Sequence, residues 1–353
     1  MHKHILAAAL VLSGLSASAQ IGGKRTFSFL EMPVGAKMAA IGGVNVTSPG
    51  ADMTMTFANP ALLNDDMVGR AAFNHAWFLA DVRQNVLGYT FDTDKFGPFA
   101  VGLHHINYGK MTETDATGAE LGEFSASDYA FQVSHAQTTG VFTLGATAKL
   151  AVSSIAGQSS MAGLVDLGGS FKHPEHELQV GMVIKNIGYN FKTFDGGETQ
   201  PMPFDVQLGI SHKLEHMPLR FSLTAHRLYQ FDIVYLDPNK KTNQLNADNT
   251  EEQEKKTFGD KALRHLVVGG EFLLSKNINF RVGYNHLRRR ELRMEDQAGG
   301  AGFSFGGLIR IKSFEFAFTK AYYHVAGSTT FLAISANVGK KKVEEIPAET
   351  ITN

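Results

Sequence analysis

Reactive side chains concentrate at a few places in this sequence: the pair His104-His105, the dyads Ser134-His135 and Ser211-His212, and the guanidinium run "RRRELR" from Arg288 to Arg293. A metal centre would need two or more imidazoles converging on one point, and a hydrolase would need serine, base and a third group that orients the base. Neighbouring residues of an extended chain point to opposite faces, so none of these pairs converges without a bulge, and no third group is evident. The glycine-rich pieces "GGAG" and "FGG" lack the following helix and the Lys-Ser/Thr of a phosphate cradle. The reading is therefore of a chain with no enzyme activity, no cofactor and no metal. The cluster Arg288, Arg289, Arg290 is a candidate surface contact, for which a solvated loop or a lipopolysaccharide phosphate is a simpler account than protein docking.

The elements that carry these residues are bounded by composition. The 353 residues are 43% hydrophobic and 19% charged, with a mean hydropathy of −0.11, too polar for a bundle of membrane helices. A net charge of −1 supplies no basic field for displacing counterions, which excludes nucleic acid as a partner. His2, Lys3 and His4 precede the apolar run "ILAAALVLSGLSASA", which closes on small residues at Ala17-Ser18-Ala19. That is the pattern of a secretory signal over 1–19, with the mature chain starting near Gln20. The absence of cysteine rules out a disulfide-stapled scaffold. The 36 Gly and 26 Phe suit closed sheets, with glycine at close-packed positions and aromatics at interfaces.

Period-two alternation runs through the second half of the chain. In "NINFRVGYNH", Ile278, Phe280, Val282 and Tyr284 alternate with Asn279, Arg281, Gly283 and Asn285. Runs of about ten residues exceed the length of about 5–6 usual in soluble sheets and suit tilted strands crossing a bilayer. Lys149, Asp166, Lys185, Glu271, Arg281 and Arg310 fall on the polar side of this alternation, as an aqueous lumen demands, since a lipid-facing Arg or Lys costs about 2–4 kcal/mol at the midplane. His75, His105 and Lys320 fall on the apolar side and are expected near a rim. Turn residues divide 70–339 into roughly fourteen strands whose connectors alternate between short and long. The fold class is thus all-β: a transmembrane antiparallel outer-membrane barrel with extracellular loops, chiefly about 109–127, 229–261 and 289–299. Its termini are expected to be periplasmic, the last being a charged tail over 340–353.

Residues 20–69 precede the first strand and read as a small plug or hatch, too short to stand alone. Leu30, Val34 and Met38 lie at helical spacing, and Asn59-Pro60-Ala61 reads as a turn opening a short helical piece, since proline presets φ. The stretch "GGKRTFSFLEMPVGAKMAAIGGVNVTSPGADMTMTFANPALL", with "FNHAWFLADV" after it, resembles the amino-terminal signature of the PorV/PorQ family. These are outer-membrane proteins of the type IX secretion system of Bacteroidota, and the likeness to PorQ-type members is the strongest. The family is similar to FadL-type barrels, and Asn59, Pro60 and Ala61 map onto the hatch motif by that resemblance. It implies a part of the surface attachment complex that sits among outer-membrane lipids and holds a PorZ-like surface protein beside PorU-like and PorV-like components. A FadL-like passive channel for hydrophobic small molecules is the alternative, and a lipid-modifying enzyme ranks last.

Overall fold

The computed structural model describes residues 25–339 except 196, 198, 235–240, 246–250, 254–256, 293–298 and 325–326. The signal segment 1–19 and the tail 340–353 lie outside the described residues. Alternating sequence becomes strand throughout 70–337: β1 (Arg70–Trp77), β2 (Arg83–Thr93), β3 (Gly97–Thr114), β4 (Glu120–Thr139), β5 (Phe142–Ile155), β6 (Gln158–Lys172), β7 (Leu178–Lys192), β8 (Asp205–Lys213) and β9 (Leu219–Ala225) form the first part. A small hairpin of β10 (Lys241–Leu245) and β11 (Glu251–Gln253) follows, then β12 (Leu266–Phe272), β13 (Ile278–Asn285), β14 (Phe303–Ile311), β15 (Phe314–His324) and β16 (Gly327–Asn337). Every pairing is antiparallel; the hairpin forms a separate sheet, and among the other strands β16 returns to β1 with Arg70 opposite Asn337, which closes a ring of fourteen strands.

Closure leaves no strand edge, and alternation gives the ring two chemically different faces. Phe280, Val282, Phe316 and Phe318 point outward and are about half exposed, whereas Lys149, Lys185, Glu271 and Arg281 point inward and are buried. An apolar outer belt around a polar interior defines a membrane barrel, and the chain is a bacterial outer-membrane protein of this kind. No helix among the described residues is long and apolar enough to cross a bilayer. Arg310 also faces inward, where Glu315 accepts from it at 2.9 Å and from Arg70 at 2.8 Å near the turn end of the seam.

Several sequence expectations need correction. The connector predicted over 109–127 is mostly strand, because β3 and β4 stay paired from Lys110 opposite Ser125 to Thr114 opposite Glu120. Both faces of this extension meet water, so no apolar alternation marked it. The helical spacing of Leu30, Val34 and Met38 does not produce one helix: Pro33 separates a 3-10 turn, Ser28–Glu31, from a five-residue helix, Ala36–Ala40. All three residues are buried, so their spacing reflects enclosure on every side. The described amino-terminal end is not periplasmic. Arg25 donates to the hydroxyl of Tyr229 at 2.8 Å and Arg227 donates to Glu31 at 3.1 Å, at the long-loop mouth, because the plug runs the length of the lumen before Gly69 meets Gly339 at the turn end.

Candidate functional site

The site is the lumen, and its geometry follows from where the strands omit a side chain. Four glycine pairs lie opposite one another across adjacent strands: Gly88 and Gly102, Gly145 and Gly168, Gly181 and Gly209, Gly269 and Gly283. Each pair leaves bare backbone facing inward, and a piece of the plug rests on it. Phe57 lies on the first, Asn59-Pro60 on the second, Val46-Thr47 on the third and Ile41-Gly42 on the fourth, all so near that a Cβ on either glycine would collide. These glycines therefore record close approach of the plug to the wall backbone.

The Asn59-Pro60-Ala61 element is positioned by its own chemistry. Asn59 caps the 3-10 turn Pro60–Leu62 by accepting from the N–H of Ala61 at 3.0 Å. Its amide donates to the carbonyls of Val46 at 2.9 Å and Gly169 at 3.4 Å, tying two plug segments to β6. Barrel side chains satisfy the plug backbone elsewhere. Asn74 accepts from the N–H of Ala36 at 2.9 Å, Thr319 donates to the carbonyl of Ala36 at 2.8 Å, and Ser304 donates to that of Ala40 at 2.9 Å. Buried backbone groups of an irregular segment need such partners, since each one left unmade costs about 1–3 kcal/mol.

Two groups of inward-facing charges form ion pairs in the lumen. Asp166 and Lys149 approach to 2.5 Å, with Asn186 accepting from Lys149 at 3.0 Å and donating its N–H to Asp166 at 2.8 Å. Asn186 holds φ at 59° where the β6–β7 register shifts, and the bulge aims its backbone N–H at the carboxylate. Glu271 faces Arg281 at 3.1 Å and Arg220 at 3.4 Å.

Above the plug, the loops form a cap. Helix Phe258–Arg264 lies beside helix His286–Glu291, joined through Asp260, which accepts from Arg264 at 2.8 Å and pairs with Arg290 at 2.9 Å. Arg288 stacks over Tyr323 at 4.2 Å and donates to the plug carbonyl of Gly42 at 3.3 Å, while Arg289 donates to the carbonyl of Gly299 at 2.7 Å. The arginine cluster of the sequence is thus built into the cap, with Arg288 linking cap to plug. Its charged neighbours were not apparent from sequence, because Asp260 lies about thirty residues away.

The cap should respond to acid. Burial opposes ionisation of Asp260, but the hydrogen bond from Arg264 and the charges of Arg264, Arg290 and His286 outweigh it and hold the carboxyl below its ordinary pKa. Burial lowers the His286 imidazole, against an upward pull from Asp260 3.8 Å away. Both depressed groups contribute stability at neutral pH. His286 begins to lose it as pH falls below about 6.5 and Asp260 as pH falls below about 4, because the open state then takes up protons that the closed cap disfavours. Hydrogen exchange over 257–265 and 286–292, corrected for intrinsic rate, should be faster at about pH 5 than at about pH 7.5. Equal protection would refute the linkage.

The other chemical candidates separate as strand geometry requires. His104 points inward against Phe29, with ring centroids 5.2 Å apart, while His105 points outward against Tyr129 at 4.5 Å. Ser134 is hydrogen-bonded to Thr147 at 2.7 Å inside, and His135 stacks on Phe99 at 4.5 Å outside. Ser211 faces in and donates to the carbonyl of Thr47 at 2.8 Å, whereas His212 lies on the other face. His75 and Lys320 also face outward, toward the loop end of their strands.

Comparison with solved structures bears on the fold. The Ralstonia pickettii toluene transporter TbuX superposes with a TM-score of 0.51 at 11% identity, covering 88% of this chain and 99% of its own. The TodX monoaromatic hydrocarbon channel gives 0.46 at 14% identity, with 87% and 97% covered, and a Pseudomonas aeruginosa FadL homologue gives 0.46 at 10%, with 87% and 98% covered. TbuX and this chain share an overall fold. No family model and no curated protein sequence matches the chain.

Proposed function

We propose that the chain is a non-enzymatic, plugged anchor of the outer membrane. Its loops hold a surface partner, and the amino-terminal resemblance suggests the type IX secretion attachment complex, with a PorZ-like partner beside PorU-like and PorV-like components. The observation that carries this reading is the continuous fastening of cap, plug and wall: Arg288 bonds the plug from above, four glycine pairs grip it, and side chains of β1, β14 and β15 hydrogen-bond its backbone. A rigid interior under structured loops suits holding better than passage. The buried pair Lys149–Asp166 also gives the interior a polarity ill-suited to apolar cargo.

The second reading, a passive channel for hydrophobic small molecules, is favoured by the likeness of the fold to TbuX, named as a toluene transporter. Deletion of the gene discriminates between them. An anchor predicts loss of its partner and of retained cargo from the cell surface with uptake of aromatic hydrocarbons unchanged, and recovery of the partner with the detergent-solubilised barrel. An unaltered surface proteome with slowed hydrocarbon uptake would reverse the assignment.

A further inference from the structure

Outward side chains on the barrel wall run in rows across the strands. One row is Val282, Phe305, Lys320, Thr330, Trp77 and Arg83, each the register partner of the next from β13 through β16 to β1 and β2. The row beneath it, nearer the turn end, is Phe280, Gly307, Phe318, Leu332, His75 and Asn85. Each row changes from apolar to polar partway along, the upper at Lys320 on β15 and the lower at His75 on β1. Two residues along a strand span about 7 Å and two strand spacings about 10 Å. With strands tilted about 40°, both amount to about 5–6 Å of height, so the two changes lie at one level. That level is the outer edge of the hydrocarbon layer.

Lys320 stands at this edge, and Arg83, three strand spacings further along the rising row, stands about 9 Å above it, at headgroup height. Lys320 and Arg83 are exposed and form no ion pair or hydrogen bond among the described residues. They are three strand spacings apart, about 14 Å, with Thr330 and Trp77 between them. Below Lys320 an apolar concavity of about 950 Å³ extends over β13–β16 and β1, with Lys320 and His75 among its lining residues. Gly307 opens its floor, lacking a side chain between Phe280 and Phe318. A greasy groove ending at unpaired positive charge matches an amphiphile with acyl chains and an anionic head, and the aromatic face of Trp77 suits a sugar ring between the charges. Among the described residues, Arg288, Arg289 and Arg290 of the cap are engaged with the plug, a loop carbonyl and Asp260, whereas Lys320 and Arg83 on the wall are exposed.

We propose that this face binds one outer-leaflet glycolipid with a phosphorylated sugar headgroup, its phosphates on Lys320 and Arg83 and an acyl chain in the groove over Gly307. The site does not depend on the anchoring role. Native mass spectrometry of the full-length barrel in detergent tests it, with diphosphoryl lipid A and the same lipid dephosphorylated as probes. Wild type should bind the phosphorylated form about thirtyfold more tightly, from about 1 kcal/mol for each cation. Lys320→Gln with Arg83→Gln should abolish that preference while leaving binding of the dephosphorylated lipid unchanged. Gly307→Leu should weaken both, and its Cβ meets nothing nearer than 3.6 Å, so the wall still forms. Equal binding of the two lipids by wild type, an undiminished preference in the double variant, or unaltered affinity in Gly307→Leu would each overturn the proposal. Heat-dependent gel mobility confirms that every variant is folded.

Discussion

Leucine at position 283 should yield a barrel that still closes but no longer holds its plug. A Cβ on Gly283 would stand 2.0 Å from the backbone nitrogen of Gly42 and 2.4 Å from the carbonyl carbon of Ile41. Neither is a side-chain tip that could rotate away. Overpacking typically costs about 1–3 kcal/mol, and the upper end applies where backbone meets backbone. Fourteen strands paired all round resist that strain better than the plug, which is held by short 3-10 turns and individual side-chain bonds. About 3 kcal/mol raises the displaced population about a hundredfold. Purified Gly283→Leu should keep heat-dependent gel mobility, lose protease protection over 25–69 and conduct ions in planar bilayers where wild type stays closed. Gly169→Ala is the control, since its Cβ faces outward and meets only Leu144 at 3.7 Å. A closed, protease-resistant Gly283→Leu protein would show that plug and wall are not so tightly fitted.

The barrel was legible in the sequence because its two solvents, lipid outside and polar lumen inside, impose a period of two on every membrane-crossing strand. In β13, for example, the alternation of Ile278, Phe280, Val282 and Tyr284 with polar or small neighbours is the strand itself. Legibility stops where that contrast stops. The paired extension of β3 and β4 stands in water on both faces and reads as loop. In the plug, Leu30, Val34 and Met38 are enclosed on all sides, so spacing carried no directional information there. Gly145 and Gly168 were visible as glycines, but a missing side chain points to close approach only once the opposing Asn59-Pro60 is in place. The arginine cluster was seen as a surface feature because its acid, Asp260, comes from another loop. The apolar-side exceptions His75 and Lys320 were legible as residues near a rim, because an outward charge or imidazole is tolerable only near the edge of the hydrocarbon.

Replacing Lys149 with methionine should destabilise the interior by about 3–5 kcal/mol, the usual cost of breaking a buried pair from one side. The side chains of Lys149 and Asp166 are 3% and 1% exposed, so water cannot take over the lost partner's role. Asp166 would keep the backbone N–H of Asn186 at 2.8 Å, and buried Lys185 is near enough in the same wall to moderate the loss, which favours the lower end of the range. Adding Asp166→Asn removes the stranded charge and should recover more than half of the loss, as neutral replacements of buried pairs commonly do. Urea unfolding of the barrel in liposomes measures both steps. A single variant as stable as wild type would mean that the pair is hydrated and the lumen wetter than its packing indicates. The double variant also separates the two functional readings. It removes one ion pair and makes this part of the interior more apolar, so a channel for hydrophobic molecules should pass them at least as well, whereas an anchor should retain its surface partner unchanged and still admit none.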